Sequence, residues 1–174
     1  ETYLLMERYT EALPDFDRVI ELDPNYQWAI ARRGETYLML KQYNIALANF
    51  NRAIELDSDS NSDWYLYNRT LVYLALNLLE NARTDIEIAI QLANNKYEEN
   101  SQNWCNTFNL ALYCLTAQYT SNAEDLYRYA LSQGASSESV RAAIQDLKDF
   151  LTIFPDNVQA QSMRQLLQSA LTTT

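Results

Sequence analysis

Residues 28–57 read WAIARRGETYLMLKQYNIALANFNRAIELD, and this stretch decides the fold. Its spacing predicts two amphipathic helices joined by a short turn. In the first, Trp28, Ala31, Arg32, Glu35 and Met39 share one face, while Ile30, Gly34 and Tyr37 share another. Two patterned faces on one helix describe a helix sandwiched between a partner and a neighbouring unit. Glycine inside a helix costs about 1 kcal/mol relative to alanine, so Gly34 needs a packing reason. A close helix crossing supplies one. Ala46, Phe50, Ala53 and Ile54 form the answering stripe on the second helix.

The pattern recurs on both sides. A shift of 34 residues overlays 1–23 on 35–57, with identities that include Tyr9, Ala12, Leu13, Phe16, Ile20 and Asp23. A shift of 36 carries Trp28 to Trp64, Tyr37 to Tyr73, Ala46 to Ala82 and Ala53 to Ala89, although Gly34 becomes Thr70 and Phe50 becomes Ile86. A more diverged copy follows a polar link, with Leu110, Ala111, Ala123, Tyr127 and Ala130 at matching places and Cys114 replacing the tyrosine. A fixed period of this size marks a solenoid of helix pairs. These residues, in this order, resemble the tetratricopeptide repeat (TPR). The resemblance implies an all-α, right-handed α-solenoid whose first helices line a concave groove.

The expected organisation is one domain over 1–174, with a partial repeat at about 1–24 and full repeats at 25–58, 61–94 and 103–134. Two capping helices follow at 136–154 and 156–172. Thr10 as an N-cap would put Pro14 in a first turn, where proline is tolerated. Ser121 with Glu124 reads as a capping box, and Asp156 as the cap of the last helix. The segment LTIFPDN (151–157) reads as the end of a second repeat helix that lacks its first. The chain opens inside a repeat, so it is expected to be a piece of a longer, multidomain, bacterial protein, and its Thr-rich end a true end.

Composition narrows the function. Only 2 Gly and 3 Pro among 174 residues argue for nearly continuous helix. A formal net charge of -10 opposes nucleic acid and anionic lipid as partners. Without a single histidine, the usual general base and the commonest metal ligand are missing. Cys105 and Cys114 fall on one predicted helix about 13 Å apart along its axis, so they cannot pair there. Both are expected as buried, reduced thiols of a cytoplasmic protein. Asp57, Asp59, Asn61 and Asp63 alternate like the start of a calcium loop, but the required glycine and final glutamate are replaced by Ser62 and Asn68. They read as a solvated connector. No metal, cofactor or catalytic site is expected.

The resemblance assigns the groove position by position. It implies peptide contacts from Trp28, Arg32 and Glu35 in the second repeat and from Trp64, Tyr67 and Asn68 in the third. Phe108 and Asn109 follow in the fourth. Tyr67 and Phe108 would be apolar anchors, and the two asparagines amide partners for an extended backbone. The tryptophans could equally brace neighbouring helices. With Arg32 as the only cation and Glu35 one turn away, the expected partner is an apolar, neutral or basic protein segment. The leading function is a non-catalytic interaction scaffold that binds a peptide or helix, with self-association through the partial first repeat as a further route. The alternative is a sensor, because residues 136–157 are similar in texture to the C-terminal TPR arrays of bacterial signalling ATPases.

Overall fold

In the computed structural model, residues 9–57 and 63–172 are described, and they form helices joined by short turns with no strand among them. The helices are α1 (Tyr9–Leu22), α2 (Gln27–Met39), α3 (Tyr43–Leu56), α4 (Asp63–Ala75), α5 (Leu79–Glu99), α6 (Trp104–Thr116), α7 (Thr120–Ser132), α8 (Ser137–Ile153) and α9 (Val158–Thr172). The fold class is the all-α solenoid of helix pairs expected from the repeats. The centre of the calcium-like alternation, Asp59 and Asn61, lies outside the described residues, as does the start of the first repeat. No helix among the described residues is long and apolar enough to cross a membrane.

The chain divides into two compact units, Glu1–Asp85 and Ile86–Thr174. In the first, α2 packs on α1 and α3, α3 packs on α4, and α2 touches α4. The crossing of α2 and α3 explains Gly34. A Cβ there would lie 3.1 Å from Asn49 Cβ and 3.3 Å from the Phe50 ring. Ala46, Phe50 and Ala53 on the facing helix are all fully buried. Arg33 fastens the pair to its predecessor. Its Nε donates to Asn49 Oδ1 at 2.9 Å, and its Nη1 to Asp17 on α1 at 2.7 Å. One repeat later Arg69 does the same, bidentate to Asp85 at 2.6 and 2.9 Å, with Nη1 on Asn51 at 2.8 Å. Asp85 is buried, and this pairing raises the Arg69 pKa further against the cost of desolvation.

In the second unit, α6 pairs with α7 and α8 with α9, while α8 also packs on α6 and α9 on α7. The closing helices therefore stack first on first and second on second. This corrects the reading of 151–157 as the end of a second helix, because α8 takes the place of a first helix. Three cap assignments are corrected as well. Thr10 is already helical, so Pro14 lies inside α1, on its exposed side, rather than in a first turn. Helix α7 starts behind Tyr119 with no side-chain cap, and Glu124 instead pairs with Arg128 at 2.7 Å. Asn157, not Asp156, caps α9, accepting from the Ala160 N–H at 2.8 Å.

A left-handed turn explains the shifted start of α7, and it recurs after other first helices. Lys41, Asn77 and Gln118 all adopt left-handed backbone, with φ of 58°, 59° and 65°. In each case the next residue's N–H reaches back to the helix, as from Gln42 to Tyr37, Leu78 to Tyr73 and Tyr119 to Cys114, each at 2.8 Å. These are Schellman closures built without glycine. Left-handed backbone costs an L-residue about 1 kcal/mol or more. Replacing Lys41 or Gln118 with glycine should therefore raise the unfolding free energy by about 0.5–1 kcal/mol, and Lys41→Val should lower it. Gly34→Ala should instead cost about 1–3 kcal/mol despite the better helix propensity, since neither the Asn49 Cβ nor the enclosed Phe50 ring can retreat. Urea unfolding followed by circular dichroism measures all four.

Candidate functional site

The residues proposed for a groove fall into two groups. Trp28, Arg32, Glu35 and Trp64 come together on the first unit. Trp28 and Arg32 are one helical turn apart on α2, and Trp64 lies in the first turn of α4 one repeat later. The Arg32 guanidinium lies 5.6 Å from the Trp28 ring centre and 5.4 Å from that of Trp64. It is held between the two indoles. Its Nη1 also meets Glu35 Oε2 at 2.8 Å, so its charge is balanced at the site. Trp28 keeps 39 % of its surface exposed, while its inner edge packs T-shaped on Phe16 of α1 at 6.5 Å. Bracing a neighbour and presenting a surface are thus both true of this residue.

The second group lies inside the packing. Tyr67 is 5 % exposed, Asn68 3 % and Phe108 4 %. The Asn68 amide donates to the Trp64 carbonyl one turn back at 2.9 Å. Phe108 stacks on Tyr127 of α7 at 5.9 Å, within the second unit. Asn109, beside it on α6, is half-buried. The reason is geometric. A first helix packs on its partner and on neighbouring first helices, so only a narrow strip of it stays open, and residues at the strip's edge turn inward.

Two aromatics that the repeat pattern did not flag extend the open strip. Tyr26 stands just before α2 and lies 6.1 Å from Trp28, and Tyr65 stands T-shaped to Trp64 at 5.6 Å. Burial, then the nearby Asp57 and Tyr26, push the Tyr65 phenol above its usual pKa, so it stays a neutral donor. Their signal in the sequence was adjacency, as YQW at 26–28 and WY at 64–65.

The cysteines divide. Cys114 is buried as expected, but Cys105 is exposed. Nine residues turn a helix by about half a revolution, so a single buried face cannot hold both. Burial pushes the Cys114 thiol up to about 11. Among the described residues no cluster of three or more His, Cys, Asp or Glu is placed to hold a metal.

Alkylation of the intact chain at mildly alkaline pH should consume one thiol, Cys105, and unfolding should release the second; mass spectrometry of the labelled peptides reads the result. Phe108→Ala should lower stability by about 3–5 kcal/mol, as expected of an emptied core position. Chemical denaturation checks that value.

Residues 3–69 match the tetratricopeptide repeat family. No curated protein sequence matches the chain significantly. Among solved structures, that of MamA is 14 % identical, with 99 % of this chain and 94 % of that chain covered and a TM-score of 0.48. That of YrrB, a TPR protein with an unusual peptide-binding site, is 16 % identical, with 94 % and 87 % covered and a TM-score of 0.46. A chain of the APC/C hetero-tetramer Cut9-Hcn1 is 16 % identical, with 97 % and 40 % covered and a TM-score of 0.33. That match covers less than half of the chain, and helices α1 to α3 within it follow the repeat period.

Proposed function

We propose that this protein is a non-catalytic interaction scaffold and that the Trp28–Arg32–Trp64 strip of the first unit receives a segment of a partner protein. The observation that carries the reading is the guanidinium held between two indoles at 5.6 and 5.4 Å with Glu35 beside it. Such a stack is already assembled before anything binds, so docking adds little side-chain ordering. Tryptophan, tyrosine and arginine are also the residues that most often dominate interface energetics. Charge decides the kind of partner. A free acidic tail needs cations to meet it, and here Glu35 already answers Arg32, on a chain of net charge -10. An apolar, neutral or basic segment, extended or helical, fits this strip. Tyr67, Asn68 and Phe108 support the frame from within, and Trp28, Trp64, Tyr26 and Tyr65 supply the contact surface.

A partner recovered from the native host by affinity capture and then titrated by calorimetry tests the assignment. Trp64→Ala should weaken binding by about 2 kcal/mol or more, roughly thirtyfold. Arg32→Ala should weaken it less, and Arg128→Ala, on an exposed second helix, should leave it unchanged. Equal affinity for wild type and Trp64→Ala would remove the strip as the binding surface.

A further inference from the structure

The second unit contains a cleft of about 590 Å³ between α5, α6 and α7. Its floor is apolar, formed by Ile90, Leu110 and Leu126 above the buried Cys114. Its rim carries Tyr97, Tyr119, Tyr129 and Asp125. Tyr97 and Tyr129 stand T-shaped with ring centres 6.4 Å apart. No lysine or arginine lines it, and among the described residues no cation pairs with Asp125.

The first unit contains the same cleft in an earlier repeat, and there it is partly filled. Its lining includes Ile20, Arg33, Ala48, Asn49 and Arg52, and its volume is about 200 Å³. Register relates the two. A shift of 70 residues carries Ile20 to Ile90, and a shift of 77 carries Arg33 to Leu110, Ala48 to Asp125, Asn49 to Leu126 and Arg52 to Tyr129. Arg33 uses this place to bind Asp17 and Asn49, and Arg52 reaches Asn25 at 3.0 Å. The later cleft has thus exchanged both arginines for Leu110 and Tyr129 and gained a carboxylate. The chain's own structure shows what this inter-repeat position accommodates, and it is a guanidinium.

We propose that the cleft of the second unit receives an arginine or lysine side chain from an extended segment of a partner protein. The cation would meet the faces of Tyr97 and Tyr129 and the carboxylate of Asp125, a combination of ring quadrupole and charge that favours cations over neutral isosteres. Asn122 and Asn94 offer amide groups to a peptide backbone, Asn94 through what its bond to Glu98 leaves over. The volume exceeds that of a lone ammonium ion many times, which favours a polypeptide segment as the occupant.

The test uses the whole chain, isotope-labelled, and a blocked Ala/Ser heptapeptide with a central arginine. Titration by NMR should shift signals of Leu110, Asn122 and Tyr129. The same peptide with citrulline, the neutral isostere, should bind at least tenfold more weakly. Asp125→Asn, an exposed change that leaves the core untouched, should lower arginine-peptide affinity about tenfold. Leu110→Arg, which restores the intramolecular arginine, should abolish binding, and Trp64→Ala should have no effect, which separates this site from the strip on the first unit. Failure of the arginine peptide to bind, equal binding of the citrulline peptide, or an unchanged affinity for Asp125→Asn overturns the proposal. Tetramethylammonium binding as tightly as the peptide overturns the assignment of a protein segment.

Discussion

Everything in the first unit depends on how closely α2 and α3 approach. A methyl group at Gly34 would press on Asn49 at 3.1 Å and on the Phe50 ring at 3.3 Å, and Ala46 and Ala53 across from it are fully enclosed. Helices that meet through such small residues lock by backbone shape, since any added carbon collides with a neighbour that cannot move. The second unit keeps the rule with other letters, because Ala111, Ala123 and Ala130 are fully buried at the corresponding places. Fixing the pair in this way frees the remaining faces. The outer residues of a first helix then recur at one repeat's distance, which is how Trp28 and Trp64 come to flank a single arginine.

Polar links between successive pairs add direction to this apolar frame. Arg33 and Arg69 each reach their own second helix and the preceding one, so each measures the offset between neighbours. A buried carboxylate such as Asp85 is tolerable only because a bidentate arginine meets it. Such a link contributes more to the choice of a single arrangement than to net stability. Without partners of the right length, the charges would be better left in water.

Much of this was legible in the chain, and the exceptions have physical causes. The repeat period located the helix pairs, and the cost of a mid-helix glycine identified the tight crossing at Gly34 before any contact was seen. The left-handed turns were invisible because Lys41 and Gln118 lack the chemical signature that Gly134 carries. The cap of α7 was misplaced for the same reason, since the closure at Gln118 fixes where that helix starts. Within the candidate site, periodicity assigned Tyr67 and Phe108 to the correct helices but not to the interior. A helix buried on two sides has no single apolar stripe, and a three-residue step decides between strip and core. The last pair, α8 and α9, stacks like a repeat although its sequence has lost the period. Stacking needs only small and apolar residues on two faces, which Val140, Ala143, Leu147 and Ala160 supply.

The arginine position shows how a repeat array acquires a recognition site without acquiring new backbone. Where Arg33 stands, the space between neighbouring second helices is occupied and neutralised from within. Where Leu110 stands, the same backbone leaves that space open, and the nearby Asp125 is not answered by any cation of the described residues. The small residues Ala111 and Ala123 are kept at the crossing, while the exchange falls beside them at Leu110, itself only 4 % exposed. A solenoid whose stability is a sum of local pair and neighbour terms can tolerate the loss of one polar link. The frame can therefore be uniform while each junction differs in charge. Specificity in such a protein then resides in which junction has given up its internal partner.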